Sequence, residues 1–118
     1  RGARVGIMGI TFKEGVPDLR DSRAVELAQA LAIYGIQAHV ADPRADVYES
    51  RSEYGIELED ETDWGNLDVL VLAVPHPEFL GRLHEQIDQS LRREGMLVDL
   101  KAVVDPATLR EDLFYMSL

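Results

Sequence analysis

An α/β domain, with a largely parallel sheet covered by helices on both faces, is the fold class this sequence predicts, and three observations predict it. Short apolar runs alternate with stretches of helical periodicity along the whole chain. Two of those runs, around Val5 to Met8 and from Asp68 to Val74, are nearly unbroken in apolar residues, as strands are when both faces of the sheet are buried. The opening order of strand, helix and strand implies a right-handed βαβ unit, and therefore parallel pairing. With 118 residues, 46% of them hydrophobic, the chain suits one such domain and hardly two.

Arg4 to Ile10 reads as a buried strand whose glycines, Gly6 and Gly9, mark close backbone approach. Ser22 or Asp21 can cap the helix that follows, on which Val25, Leu27, Ala28, Leu31 and Ala32 recur at helical spacing until Gly35 stops it after Tyr34. Ile36 to Ala41 is the second strand. Asp46 to Tyr54, highly charged with only Val47, Tyr48 and Tyr54 as anchors, predicts a short surface helix. Ile56 to Leu58 reads as a brief strand, followed by an acidic patch of Glu59, Asp60, Glu61 and Asp63 that ends at Trp64. Asp68 to Val74 is the clearest strand. Pro75 to Leu91 predicts one helix, with Phe79, Leu80, Leu83, Ile87 and Leu91 on a single stripe. Gly95 is expected to break it before a strand from Met96 to Asp99, and Phe114 to Met116 adds an edge strand. The whole is a Rossmann-like three-layer sandwich with a mainly parallel sheet.

Composition narrows the function. The chain has no cysteine, which excludes disulfides, thiolate metal sites and cysteine nucleophiles within it. Its three histidines, His39, His76 and His84, show no metal-ligand spacing; His76, between two prolines at a strand's end, is the one placed to lie near a crevice, with a structural turn as the preferred reading. The longest apolar run, Val69 to Pro75, is far too short to cross a bilayer, and no basic-then-apolar leader opens the sequence, so no membrane partner and a cytoplasmic location are expected. A formal net charge of −10 opposes nucleic-acid binding. A small anionic ligand is a different matter, because a few basic groups in one crevice outweigh a diffuse acidic surface at close range. With only Arg1 to Arg4 ahead of the first strand, the chain is expected to be a domain excised from a longer one.

In an open α/β sheet, ligands bind outside the carboxyl ends of the strands, which directs attention to the loop from Gly9 to Ser22. It fits neither common phosphate-cradling motif. Gly6, Gly9 and Gly15 do not have the G-x-G-x-x-G spacing, and Gly9 and Gly15 enclose five residues rather than the four of a Walker A loop, with Val16 in place of lysine. What the loop offers is Lys13 beside the aromatic Phe12, a rigid Pro17, and Arg20 near the helix start. Arg20 can pair with Asp18 or Asp21, or present its guanidinium to a phosphate. Asp42 ends the second strand where a dinucleotide fold would hold a ribose, but Pro43 and the missing glycines favour an aspartate-proline turn. Lys101 follows a late strand at the same sheet edge.

Gly9-Ile10-Thr11-Phe12-Lys13-Glu14 followed by Pro17-Asp18-Leu19-Arg20-Asp21-Ser22 resembles the signature that opens the C-terminal domain of the UDP-glucose/GDP-mannose dehydrogenase family. Ala41-Asp42-Pro43 and Asp99-Leu100-Lys101 match two later parts of that pattern. The resemblance implies that residues 1–118 form a single UDP-sugar-binding C-terminal domain of a larger dehydrogenase. The complete enzymes of this family oxidise the sugar's C6 alcohol to a carboxylate with NAD, supplying uronic acids for surface polysaccharides. Their catalytic cysteine and most of the NAD site lie in the part preceding this domain, so no catalytic residue is expected here and the isolated domain should be inactive. By the same resemblance Phe12, Lys13 and Lys101 contact substrate, Lys101 across a subunit boundary, while Arg20 approaches NAD. The implied partners are the UDP-sugar, the N-terminal and central domains, and further copies of the chain in a homo-oligomer. The Phe-Lys-Glu and Pro-Asp-x-Arg pieces are closer to members acting on N-acetylated UDP-sugars.

Rival readings are a self-contained Rossmann-like module binding NAD through Asp42 and a protein-interaction module using the Glu59 to Asp63 patch. A receiver-like signalling domain, suggested by Lys101, would need an acidic pair ending the first strand, where this chain has Gly9-Ile10-Thr11.

Overall fold

The computed structural model describes residues 2–11, 13, 17–20 and 22–118. Five strands, β1 (Val5–Met8), β2 (His39–Ala41), β3 (Leu67–Leu72), β4 (Leu91–Asp99) and β5 (Phe114–Ser117), form one sheet in the order β2-β1-β3-β4-β5. Every pairing among the described residues is parallel, as the predicted Rossmann-like sandwich requires. The helices are α1 (Arg23–Ile33), α2 (Val47–Tyr54), α3 (Pro77–Leu80) and α4 (Leu83–Ser90). Among the described residues no helix is long and apolar enough to cross a membrane.

Alternation along the central strands divides the interior into two cores. Val5 and Ile7 of β1 and Val71 of β3 pack with Ala24, Val25 and Ala28 of α1 on one face. Met8, Leu70 and Leu72 pack with Leu83 and Ile87 of α4, Phe79 of α3 and Trp64 on the other. A helix on each face is what a chain produces when right-handed crossovers leave β1 in opposite directions. Gly6 sits under the second core because a Cβ there would lie 2.8 Å from the Trp64 ring and from Leu67.

Local signals place several helix ends as expected. The Ser22 hydroxyl caps α1 by accepting from the Val25 N–H at 3.2 Å, and the helix stops at Tyr34. Asp46 caps α2, and Gly55 closes it in the left-handed conformation. Ile56 to Leu58 contributes only a single bridge, between Leu58 and Val40.

Three expectations are corrected. The helix predicted over Pro75 to Leu91 is two helices, interrupted at Gly81 and Arg82, where Arg82 adopts φ −129° and ψ 18°. Its apolar stripe survives the break in part: Phe79, Leu83 and Ile87 are buried, whereas Leu80 is exposed. Leu91 belongs to β4, and Gly95 lies inside that strand rather than ahead of it. The step from Leu67 to Val69 on β3 faces the step from Leu91 to Met96 on β4, so the extra residues form a bulge. Finally, Val47 and Tyr48 do not anchor α2; both are exposed, and the fully buried residue is Ser50, whose hydroxyl donates to the Asp46 carbonyl at 2.8 Å.

Candidate functional site at the carboxyl edge of the sheet

The chain leaves β1 for β2 on one side and has β3 on the other, so the gap between β1 and β3 is the topological switch point where open α/β sheets bind ligands. At this point β1 ends in Gly9, which has φ +96° and donates its N–H to the Ala41 carbonyl at 2.8 Å. A side chain at Gly9 would drive its Cβ to 2.6 Å from the Val74 Cβ, so glycine is required both by conformation and by the closeness of the β3 exit.

Beyond Gly9 three loops are tied together by one carboxylate. Asp42, just past β2, is buried and turned inward. Its Oδ2 accepts from the Ile10 N–H at 2.7 Å, the Thr11 N–H at 3.2 Å and His76 Nε2 at 3.0 Å. Its Oδ1 accepts from the Arg44 N–H at 2.7 Å and the Ala45 N–H at 3.1 Å. Burial pushes this carboxyl up, but hydrogen bonds from His76 and from the Ile10 and Arg44 N–H groups outweigh it and hold the pKa below the ordinary aspartate value. The predicted aspartate-proline turn is present. Both oxygens are engaged within the protein, an arrangement that does not turn Asp42 toward a ribose.

His76, fully buried at the β3 exit, also lies 3.1 Å from Thr11 Oγ1. The Thr11 hydroxyl donates its proton to the Lys13 carbonyl at 3.1 Å, so it can only accept from His76. That assigns the hydrogen to Nε2, shared between Thr11 and the Asp42 carboxylate. Sequence reasoning treated His76 as a turn residue and gave Thr11 no part; their partnership joins residues far apart in the chain, and no local spacing signals it.

The candidates named from sequence take these positions. Lys13 is exposed on the β1–α1 connection, its carbonyl pinned by Thr11. Arg20, on the same connection, is exposed and pairs with Asp18 through Nη2 at 3.1 Å and Nε at 3.2 Å. The hydrogen bonds from Arg20 hold the Asp18 carboxyl below its usual range. Lys101 is exposed on the turn after β4. Phe12 lies outside the described residues. The topology thus brings Lys13, Arg20 and Lys101 to one edge of the sheet, on the loops that follow β1 and β4, with the β3 exit between them. Neighbouring strands lie about 4.8 Å apart, so the two loops begin roughly 10 Å from one another.

The Lys101 turn is built as firmly as the first loop. Asp99, the last residue of β4, is fully buried and accepts from the Val104 N–H at 2.8 Å and the Tyr115 hydroxyl at 2.7 Å. Asp99 raises the Tyr115 pKa through that hydrogen bond. Ala102, with φ +54°, donates its N–H to the Asp99 carbonyl at 3.2 Å and closes the turn around Lys101. Asp42 and Asp99 are thus buried and hold loops, Asp99 Oδ1 having no hydrogen-bond partner among the described residues, while Lys13, Lys101 and the Asp18-paired Arg20 are exposed.

A cavity of about 260 Å³ opens elsewhere, at the amino end of β2, between Ala28 and Ala32 of α1 and the segment Tyr54 to Glu57. None of the candidates lines it, and the Glu57 and Glu59 side chains among its walls would repel an anionic ligand. Among the described residues no group of three or more histidine, aspartate or glutamate side chains is placed to hold a metal ion.

Residues 6–106 match the model of the UDP-glucose/GDP-mannose dehydrogenase family, UDP binding domain. The UDP-N-acetyl-D-glucosamine 6-dehydrogenase of Pseudomonas aeruginosa is 41% identical over 104 residues, which are 88% of this chain and 25% of that protein. Protein CapL of Staphylococcus aureus is 31% identical over 105 residues, 89% of this chain and 24% of its own length. Among solved structures, a UDP-D-ManNAc dehydrogenase from Pyrococcus horikoshii superimposes with a TM-score of 0.72 at 21% identity, over 98% of this chain and 25% of that one, a likeness of fold. The UDP-glucose dehydrogenase of Pyrobaculum islandicum gives 0.67 at 27% identity, again over 98% and 25%. The chain spans about a quarter of the length of the curated relatives it matches.

Proposed function

Since the chain belongs to the UDP-glucose/GDP-mannose dehydrogenase family, we propose that residues 1–118 are the C-terminal, nucleotide-sugar-binding domain of a longer, NAD-dependent UDP-sugar 6-dehydrogenase. The observation that carries this reading is the placement of the Lys13 loop at the switch point on the carboxyl edge of the sheet, with the buried Asp42 there turned inward and the Lys101 turn on the same edge. Lys13 supplies charge to the sugar-nucleotide, Phe12 forms part of the wall, and Lys101 reaches the substrate bound to a neighbouring copy of the chain. Arg20 reaches toward NAD held mainly by the preceding domain. The complete enzyme oxidises the sugar C6 alcohol to a carboxylate for polysaccharide biosynthesis in the cytoplasm, working as a homo-oligomer. An N-acetylated UDP-hexosamine is the favoured substrate class, supported by the 41% identity to a UDP-N-acetyl-D-glucosamine 6-dehydrogenase.

Calorimetric titration of the purified chain with UDP and with UDP-N-acetylglucosamine tests the proposal. Binding is expected, and Lys13→Ala should weaken it about tenfold or more, the loss of one charge-assisted hydrogen bond worth roughly 1.5–3 kcal/mol. In the longer enzyme, Arg20→Ala should act on the apparent affinity for NAD rather than for the sugar. A chain that binds neither UDP nor the UDP-sugar, or a Lys13→Ala variant that binds both unchanged, rejects the assignment.

A further inference from the structure

The buried Asp42–His76–Thr11 chain does more than join loops. It ends on the main chain of the residue proposed to touch the ligand. Asp42 is held by backbone N–H groups of its own turn, at Arg44 and Ala45. From that fixed point its other oxygen holds Ile10, Thr11 and the His76 ring. His76 donates toward Thr11 Oγ1, and with that lone pair engaged the threonine hydroxyl is oriented so that its proton points at the Lys13 carbonyl. A threonine hydroxyl left to itself rotates to suit; here the imidazole and the carbonyl together select one rotor. The bond runs from the buried Thr11 hydroxyl to the main chain of a residue that is itself exposed.

We propose that Thr11 and His76 are positioning residues that fix the backbone at Lys13, and so pre-set the direction in which its ammonium meets the nucleotide-sugar. This inference rests on the reading of Lys13 as a ligand contact. The benefit is pre-organisation: a lysine side chain loses less freedom on binding when its backbone is already held. His76 acts through Thr11 and touches no ligand. Asp42 serves as the rigid base that keeps the imidazole in register.

Two measurements on the intact chain separate this inference from the reading beneath it. The first needs no ligand. Brief trypsin treatment of the folded protein, with the cut after Lys13 read by mass spectrometry, should run about fivefold faster for Thr11→Val than for the parent, the effect of losing one hydrogen bond of ordinary strength. Thr11→Ser, which keeps the hydroxyl, should restore the parent rate. His76→Gln, whose amide retains an N–H donor, should stay closer to the parent than His76→Leu. Unchanged cleavage in Thr11→Val overturns the pin whatever UDP does.

The second measurement is a double-mutant cycle in UDP affinity. Thr11→Val alone should weaken binding about three- to tenfold, and should cost nothing further in a Lys13→Ala background, because its effect passes through Lys13. Equal losses in both backgrounds would mean that Thr11 serves the fold generally, and the positioning role fails. Faster cleavage in Thr11→Val together with no UDP binding by the parent chain would reject the nucleotide-sugar reading and leave the pin standing as a loop anchor only.

Discussion

At Asp42 one carboxylate satisfies the main-chain donors of Ile10, Thr11, Arg44 and Ala45 together with the His76 ring. Replacing it by asparagine keeps the shape but swaps one acceptor oxygen for an N–H₂ that faces donors. Each buried donor left without a partner costs roughly 1–3 kcal/mol, so Asp42→Asn should lose about 3 kcal/mol in urea unfolding at neutral pH. The same group makes a prediction in acid. Its folded pKa lies below its unfolded value near 3.8, so its contribution is fully present above about pH 4 and is lost as the pH falls through the depressed folded value. The gap in unfolding free energy between parent and Asp42→Asn should therefore be constant from pH 7 to about pH 4 and shrink below it. A gap that persists unchanged at the lowest pH where both chains fold would show that the charge of Asp42 contributes nothing.

Among the elements, the exit of β1 and the entry of α1 respond differently to substitution. Gly9→Ala meets two obstacles at once, a φ of +96° and a contact of 2.6 Å with the Val74 Cβ. The β3 exit cannot retreat without moving His76, so a loss above about 2 kcal/mol is expected, in the range diagnostic of strain at a special backbone position. Ser22→Ala removes only the cap on the Val25 N–H and should cost about 1 kcal/mol. Thermal melts of the two variants side by side check the ranking; a Gly9→Ala chain as stable as Ser22→Ala would mean that the loop relaxes freely and does not couple β1 to β3. The division of the predicted Pro75–Leu91 helix into α3 and α4 belongs to this scale too. Phe79, Leu83 and Ile87 keep one face buried against Leu70 and Leu72 across the break, so the periodicity that suggested a single helix reported the buried face and not the continuity of the backbone.

For the molecule as a whole, the proposal assigns binding to this domain and chemistry to the remainder of the enzyme. The isolated chain, with no cysteine and with Asp42 turned inward, should produce no NADH from NAD with UDP-glucose or with N-acetylated UDP-hexosamines. NAD should bind it more weakly than UDP. Absorbance at 340 nm and paired calorimetric titrations settle both points, and turnover by the purified chain would refute the division of labour.

The α/β class, the parallel pairing and the cap at Ser22 were legible in the amino-acid order because the interactions behind them are local: a hydroxyl reaches three residues ahead, and apolar side chains repeat with the pitch of a helix or the pleat of a strand. The positions of Lys13, Arg20 and Lys101 at the carboxyl edge of the sheet were legible as well, because each follows a strand that the periodicity had already located. The bulge in β4 was not. The run from Leu91 to Gly95 has no strand pattern of its own; it joins the sheet through Leu91 opposite Leu67 of β3, and β5 pairs only from Met96 onward. Nor was the Asp42–His76–Thr11 chain, whose members are separated by 31, 34 and 65 residues. Sequence alone determined which loops this domain presents at the edge of its sheet. Tertiary structure decided that Asp42 faces inward, because a carboxylate between three strand ends is held by whichever donors the folded strands bring to it, and they bring three, Ile10, Thr11 and His76, to the two N–H groups of its own turn.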